Sequence, residues 1–276
     1  MYVKDKGAAG IHGHIFEYKF CALVFLRATN QGQKFKLASN VGGFRPFDDV
    51  FVEYLDDNFI KKHIFVQLKS KTTKLLTMQQ LLAETGDFSL REYYKSYIQI
   101  EEKFNCSEEG VKLEGRIDES LFIIYTNADV EGKLKSNKAT NIGEAEFLMT
   151  GSSVLQFNEE EHKAIYQHLQ DLSKHREFLR RFRIFYRQAN EKEMDRPIKH
   201  ELKQIRRLPE SELDIAYMFF IDIIKDWWQH KNFFLKDTNS RENDPVRKTL
   251  EKLRNIINSI RGNLNLNSVL NTKIPQ

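Results

Sequence analysis

The chain has 276 residues, 41 % hydrophobic and 30 % charged, with a formal charge of +4, which allows one large domain or two small ones around a substantial core. No apolar run approaches the roughly 18–20 residues of a membrane-spanning helix, and the polar start from Met1 to Lys6 is not a signal peptide. Only Cys21 and Cys106 occur, without a CxxC pair or a Cys/His cluster, which argues against a disulfide framework or structural zinc and for a reducing, intracellular setting, cytoplasmic or nuclear.

In chain order, Gly13 to Thr29 carries Ile15, Phe16, Phe20, Leu23 and Val24 at helical spacing, and Asn30 with Gly32 can end that helix. Lys34 to Ala38 reads as a first strand, Gly42-Gly43 as a turn, and Pro46 opposes a helix through Phe44-Arg45. Val50 to Leu55 and His63 to Leu68, separated by Asp56-Asp57-Asn58, read as strands. Thr77 to Glu84 and Ser89 to Phe104 read as helices, the second opened by Ser89 and Glu92 as a capping box. Ser120 to Tyr125 is a short apolar strand suited to burial on both faces, and Thr126-Asn127-Ala128-Asp129 turns at its end. Beyond Glu159 the pattern is helical: Glu160–Phe185, Ile198–Arg207, Ser211–His230 and Pro245–Arg261. The apolar face within Ile215 to Trp228 reads as core, or as a cover for the first domain. Asn255 to Gln276 is polar and Asn-rich, a frayed terminus or a linker.

The acidic pair Asp48-Asp49 opens one strand and Gln67-Leu68-Lys69 closes the next. Residues two apart on a strand share a face, so Gln67 and Lys69 project together, as do Asp49, Phe51 and Glu53. Pairing as a hairpin brings Asp49 to Gln67 and Lys69. Hydrolysing a phosphodiester requires an attacking water, stabilisation of charge in the transition state and help for the leaving oxygen, and Mg²⁺ on hard oxygen ligands can supply several of these. Asp49 is the charged ligand, while the Gln67 amide oxygen and the Leu68 carbonyl are neutral ones. Lys69 would orient or help deprotonate the water, or stabilise phosphate charge.

Ser70, Lys71 and Lys74 follow as candidates for phosphate contacts. His12 and His14 flank the first helix and could touch phosphate or cap the helix, with surface histidine the plainer reading. From Arg176 to Arg207 eleven Lys/Arg face five Asp/Glu, which makes Arg180, Arg181 and Arg183 candidates to track a phosphate backbone; a solvated helix face is the alternative. Tyr93, Tyr94 and Tyr97 lie at helical spacing and read as packing rather than base stacking.

Asp49, seventeen residues, then Gln67-Leu68-Lys69 resembles the PD-(D/E)XK restriction-endonuclease-like superfamily in its QxK form, as in Mrr-type nucleases. Glu17 on the preceding helix matches the helical glutamate that many members place beside the metal. A closer likeness is to nuclease modules at the N-terminus of antiviral effectors, fused to a nucleotide-sensing or NTPase region. Those share an opening like Gly7-Ala8-Ala9-Gly10, an acidic pair before a strand, QxK, and a later strand ending like Thr126-Asn127. The likeness covers residues 7–130 well and 160–260 loosely. It implies an endonuclease acting on DNA with Mg²⁺ or Mn²⁺, and Glu17 as a further ligand. Glutamine stands where the superfamily usually has an acid, and Pro46 precedes Phe47 rather than the aspartate. Asp49 is favoured over Asp48 because in related sequences the acid abuts the hydrophobic strand.

The expectation is therefore an α/β protein: a restriction-endonuclease-like core over residues 1–150 with a mixed central sheet flanked by helices, an α-helical extension over 151–262 and a polar tail over 263–276. Its expected activity is metal-dependent cutting of double-stranded DNA with little sequence preference, as the effector module of a larger, gated, defence-type protein. RNA stays open as substrate, as does a catalytically inactive domain that binds nucleic acid or protein. The expected partners are nucleic acid, and self-association or a fused regulatory domain; no membrane is expected.

Overall fold

Val50, Val52, Ile64, Val66 and Leu68 are buried in one apolar core and Phe51 and Phe65 in another, on opposite sides of a sheet. Strand geometry imposes this period of two, and it fixes the register, because a slip of one residue would exchange the two sets. The computed structural model describes residues 11–70, 75–105, 113–135, 143–206, 208–229 and parts of 248–259. In chain order its elements are α1 (Ile11–Asn30), β1 (Phe35–Ser39), β2 (Val50–Leu55), β3 (Lys61–Lys69), β4 (Leu75–Leu76), α2 (Met78–Leu81) and α3 (Leu90–Asn105). There follow β5 (Ser120–Thr126), β6 (Asp129–Val130), β7 (Val154–Gln156), α4 (Lys163–His168), α5 (His175–Arg181), β8 (Phe182–Phe185), α6 (Asp195–Arg206) and α7 (Glu210–Gln229).

The main sheet has six strands in the order β1-β2-β3-β5-β8-β7. β1, β2 and β3 are antiparallel neighbours, β3, β5 and β8 run parallel, and β7 returns antiparallel to β8. α1, α6 and α7 cover the face that carries Val66 and Tyr125, and α3, α4 and α5 cover the face that carries Phe65 and Phe122. Phe65 and Phe122 stack with centroids 5.0 Å apart, so neighbouring strands are tied by aromatic pairs as well as by the ladder. This is a mixed α/β fold, with a mixed sheet between helices.

α1, the β2–β3 hairpin, α3 and β5 lie where the sequence pattern puts them, within two residues at each end. Tyr93, Tyr94 and Tyr97 pack in the core, as their spacing suggests. Two expectations need correction. The helix expected over Thr77 to Glu84 shrinks to one turn: Thr77 and Gln80 form its capping box, and Ser89 Oγ donates to the carbonyl of Ala83 at 2.7 Å on the way into α3.

The single helix expected over Glu160–Phe185 is two short helices and a strand. Phe182, Ile184 and Phe185 alternate between the two cores, and β5 offers them a parallel edge. Burial on both faces of the sheet outweighs the helical preference of the charged residues before them. With β7 and β8, the sheet of the core runs on past residue 150 to Phe185.

In α7 the buried stripe is Leu213, Ala216, Phe220, Ile224 and Trp228, at spacings of three and four, whereas Ile215, Met218 and Phe219 stay 39 %, 63 % and 43 % exposed. Gly7 to Gly10, Cys106 and most of Pro245–Arg261 lie outside the described residues, as does the tail from 263. No described helix is long and apolar enough to cross a membrane.

Candidate active site

The candidate residues gather where β1, β3 and β5 end and β2 begins. Val50 pairs with Val66 in the antiparallel ladder, which sets Asp49 beside Gln67. Gln67 Nε2 donates to Asp49 Oδ2, and the backbone N–H of Leu68 donates to the same oxygen at 2.7 Å. The carboxylate is thus fixed by the opposite strand of its own hairpin. Asp49 Oδ1 and Gln67 Oε1 accept no hydrogen bond among the described residues.

Glu17 reaches this end from α1 and is buried, accepting Asn40 Nδ2 at 2.7 Å. Asp48 is also buried, with Arg45 Nε 3.4 Å from its Oδ2. Burial first, then the negative charges of Glu17 and Asp48, hold the Asp49 carboxyl well above its ordinary range; the Leu68 N–H and the Lys69 charge pull the other way. Such crowding of acids is an arrangement that a cation would relieve.

Lys69, on the same face as Gln67, lies with Nζ 3.3 Å from Asp87 Oδ1. Tyr93 donates its hydroxyl to the Asp87 carbonyl at 2.8 Å. Burial first, then Asp49, Asp87 and Asp48, push the Tyr93 hydroxyl well above its ordinary range, so it stays a neutral donor. A cleft of about 490 Å³ opens beside Lys69, lined also by Arg45, Pro46, Asp87, Tyr93 and Lys95. Arg45, Lys69 and Lys95 each stand beside an acid there, Asp48, Asp87 and Glu92 respectively.

The donor set suits a hard divalent ion: a carboxylate with one uncommitted oxygen, an amide oxygen and a backbone carbonyl, with Glu17 on the adjacent helix. No group of three or more His, Cys, Asp and Glu gathers to hold an ion among the described residues, so the neutral oxygens of Gln67 and Leu68 would have to contribute.

The other candidates are scattered. Ser70 is exposed just past β3, and Lys71, Lys74 and the His12 side chain lie outside the described residues. His14 packs against Trp228 with ring centroids 4.9 Å apart. Arg181 is buried, with Nη1 donating to the Asp118 carbonyl at 2.9 Å and Nη2 to the Asp118 carboxylate, at the start of β5 and so about 20 Å along the strand from Thr126. Arg183 donates to the carbonyls of Arg180 (2.6 Å) and Phe182 (2.9 Å), and burial lowers its guanidinium to about 10. Arg180 alone of the three is exposed. This arginine group does not join the site.

Sequence reasoning missed Asn40, Arg45 and Asp87, and read Tyr93 as packing alone. The Ser39-Asn40 step before Gly42-Gly43 is a turn signal that hints at Asn40's left-handed backbone. Nothing in the spacing ties Asp87 to Lys69, because α2 and a loop intervene.

No protein-family model matches the chain, and no curated protein matches it. Among solved structures the chain is similar to a Cap4 SAVED/CARF-domain-containing receptor from Moraxella osloensis, at 11 % identity and a TM-score of 0.40, over 88 % of this chain and 46 % of that one. The chain therefore spans less than half the length of that receptor. A superposition this loose fixes neither fold family nor function.

Proposed function

We propose that the chain is a metal-dependent endonuclease that hydrolyses phosphodiester bonds, with double-stranded DNA as substrate and little sequence preference. The observation that carries this reading is the juxtaposition of Asp49, Gln67, Leu68 and Lys69 at one end of a hairpin, with Asp49 Oδ1 and Gln67 Oε1 accepting no hydrogen bond among the described residues. The sequence likeness to PD-(D/E)XK nucleases supports it, and is the support for the effector module of a larger defence-type protein.

Asp49, Gln67 and Leu68, with Glu17, would hold Mg²⁺ or Mn²⁺, which supplies a Lewis acid for the phosphoryl oxygen and a more acidic water. Asp49 needs no rearrangement to serve, since Leu68 N–H and Gln67 already fix its carboxylate. Lys69 presents its ammonium to the attacking water or to the developing phosphate charge, and Asp87 sets its direction. Arg45 and Lys95 line the same cleft and can bind flanking phosphates.

The test is cleavage of plasmid and linear duplex with Mg²⁺, Mn²⁺ or EDTA, wild type beside Lys69→Ala. Metal-dependent cutting that falls about 10²-fold or more in the variant is expected. Undiminished cutting by folded Lys69→Ala protein overturns the reading. The exposed Ile215, Met218 and Phe219 on α7 favour a second reading, a protein-interaction domain, for which light scattering at two concentrations tests self-association.

A further inference from the structure

Arg181 and Arg183, on α5 and β8, are committed to Asp118 and to backbone carbonyls, whereas the cations of α6 and the turn before it line one cleft. Lys192 on the turn before that helix, then Arg196, Lys199, His200 and Lys203, follow at spacings of four, three, one and three, which is one helical face. These five line a cleft of about 990 Å³ together with Arg27, Arg187 and the acids Glu193, Asp195 and Glu210, and Arg187 donates to the Asp129 carboxylate. Lys199 and Lys203 pair with Asp214 (2.5 Å) and Glu210 (2.6 Å), acids whose side chains are 78 % and 77 % exposed, so these pairs are weak and exchangeable. Lys192, Arg196 and His200 make no side-chain hydrogen bond or ion pair among the described residues.

The cleft also begins close to the candidate site. Thr126 is the register partner of Lys69, and its carbonyl accepts the N–H of Gln188 at 3.1 Å, while the N–H of Arg187 goes to Ala128 O at 2.9 Å. Arg187 thus leaves β8 two strands over from Lys69, or about 10 Å. Cations spread over about 10 Å of helix, with Lys192 on the turn before it, fit a run of backbone phosphates better than a single phosphate group, because a duplex strand presents one phosphate per roughly 3.4 Å of axis.

We propose that this α6 cleft is a second phosphate-binding surface, which holds a nucleic-acid backbone leading away from the Asp49–Lys69 site. The inference rests on the nuclease reading for its substrate, but its test does not require cutting. Anisotropy of a fluorescein-labelled duplex of about 20 bp is measured in EDTA, between about 50 and about 200 mM salt, for wild type, Lys192→Gln/Arg196→Gln and Arg196→Glu. The double variant should bind about tenfold more weakly at the lower salt. Its plot of log affinity against log salt should be shallower by about 2, because each phosphate left without its cation removes about 0.9 from the slope.

Both variants change exposed side chains, and an unaltered thermal melt confirms folding; should the double variant melt early, Arg196→Glu carries the comparison. Wild-type affinity and slope in folded variants overturn the proposal. Displacement of the duplex by AMP at equal phosphate concentration also overturns it, because the cleft would then be a mononucleotide pocket. Duplex binding that depends on this stripe, in a protein that cuts under no metal condition, would sink the nuclease reading and leave this surface standing.

Discussion

Asn40 donates its side-chain amide to Glu17 at 2.7 Å from a backbone held at φ 51°. One residue thus meets two demands: a left-handed turn after β1 and a donor for a buried carboxylate. Asn40→Gly removes the donor but keeps the turn, and should cost about 1–2 kcal/mol. Asn40→Ala loses the donor too and puts in the left-handed region a residue that tolerates it less well than asparagine or glycine, which should cost about 1 kcal/mol more. Urea titration gives both values, and an alanine variant as stable as the glycine one would show that the backbone demand is absent.

Gln67→Glu would replace a donor to Asp49 with a like charge. In EDTA the variant should be about 1–3 kcal/mol less stable than wild type, because Asp49 loses an amide partner among acids that already crowd it. Saturating Mg²⁺ should raise its melting temperature by more than that of wild type, since an ion that binds only the folded state stabilises it by mass action. Melting temperatures of both proteins that ignore Mg²⁺ would count against an ion at this position.

The Lys36–Glu53–His63 row crosses three neighbouring strands, with Lys36 Nζ 2.6 Å and His63 Nε2 3.6 Å from the Glu53 carboxylate. Burial opposes the charge on Glu53, but the His63 and Lys36 side chains prevail and lower it from 4.5 to about 2. A carboxyl with a depressed folded value contributes stability above its unfolded value, and loses it as the pH falls from about 4.5 towards about 2. Glu53→Gln should therefore flatten the acid limb of the stability curve in that window, measured by urea melts at stepped pH. An unchanged acid limb would assign the loss to other groups.

Asp118→Ala should be more damaging than Arg181→Met. The first leaves a buried guanidinium without its carboxylate and should cost about 3 kcal/mol, whereas the second leaves only a half-exposed Asp118 and should cost about 1–2 kcal/mol. Arg180→Ala, at an exposed position, should fall within about 0.5 kcal/mol of wild type. Thermal or chemical denaturation of the three variants checks the order.

The hairpin and its polar end were legible because strand periodicity and a short turn act over a few residues. Asp49, Gln67 and Lys69 follow from that local logic alone. β8 was not legible: Phe182-Arg183-Ile184-Phe185 follows a run of charged helix formers, and only the parallel edge of β5, more than fifty residues earlier in the chain, makes it a strand. The same holds for Arg181, which reads as one more surface cation until Asp118 is found beside it. Asp87 was hidden for a related reason, since its partner Lys69 lies across a loop and a one-turn helix whose path no spacing rule describes.

Every polar group around Asp49, from Glu17 to Tyr93, leaves the ribosome before the sheet has its fifth and sixth strands. β3 finds β5 only after Ser120 is made, and β5 stays an open edge until Phe182 to Phe185 arrive. A chain that ends at residue 150 lacks α4 and α5 on one face of the sheet and α6 and α7 on the other. The sheet that positions the candidate site is thus closed on both faces by segments that follow that site in the chain.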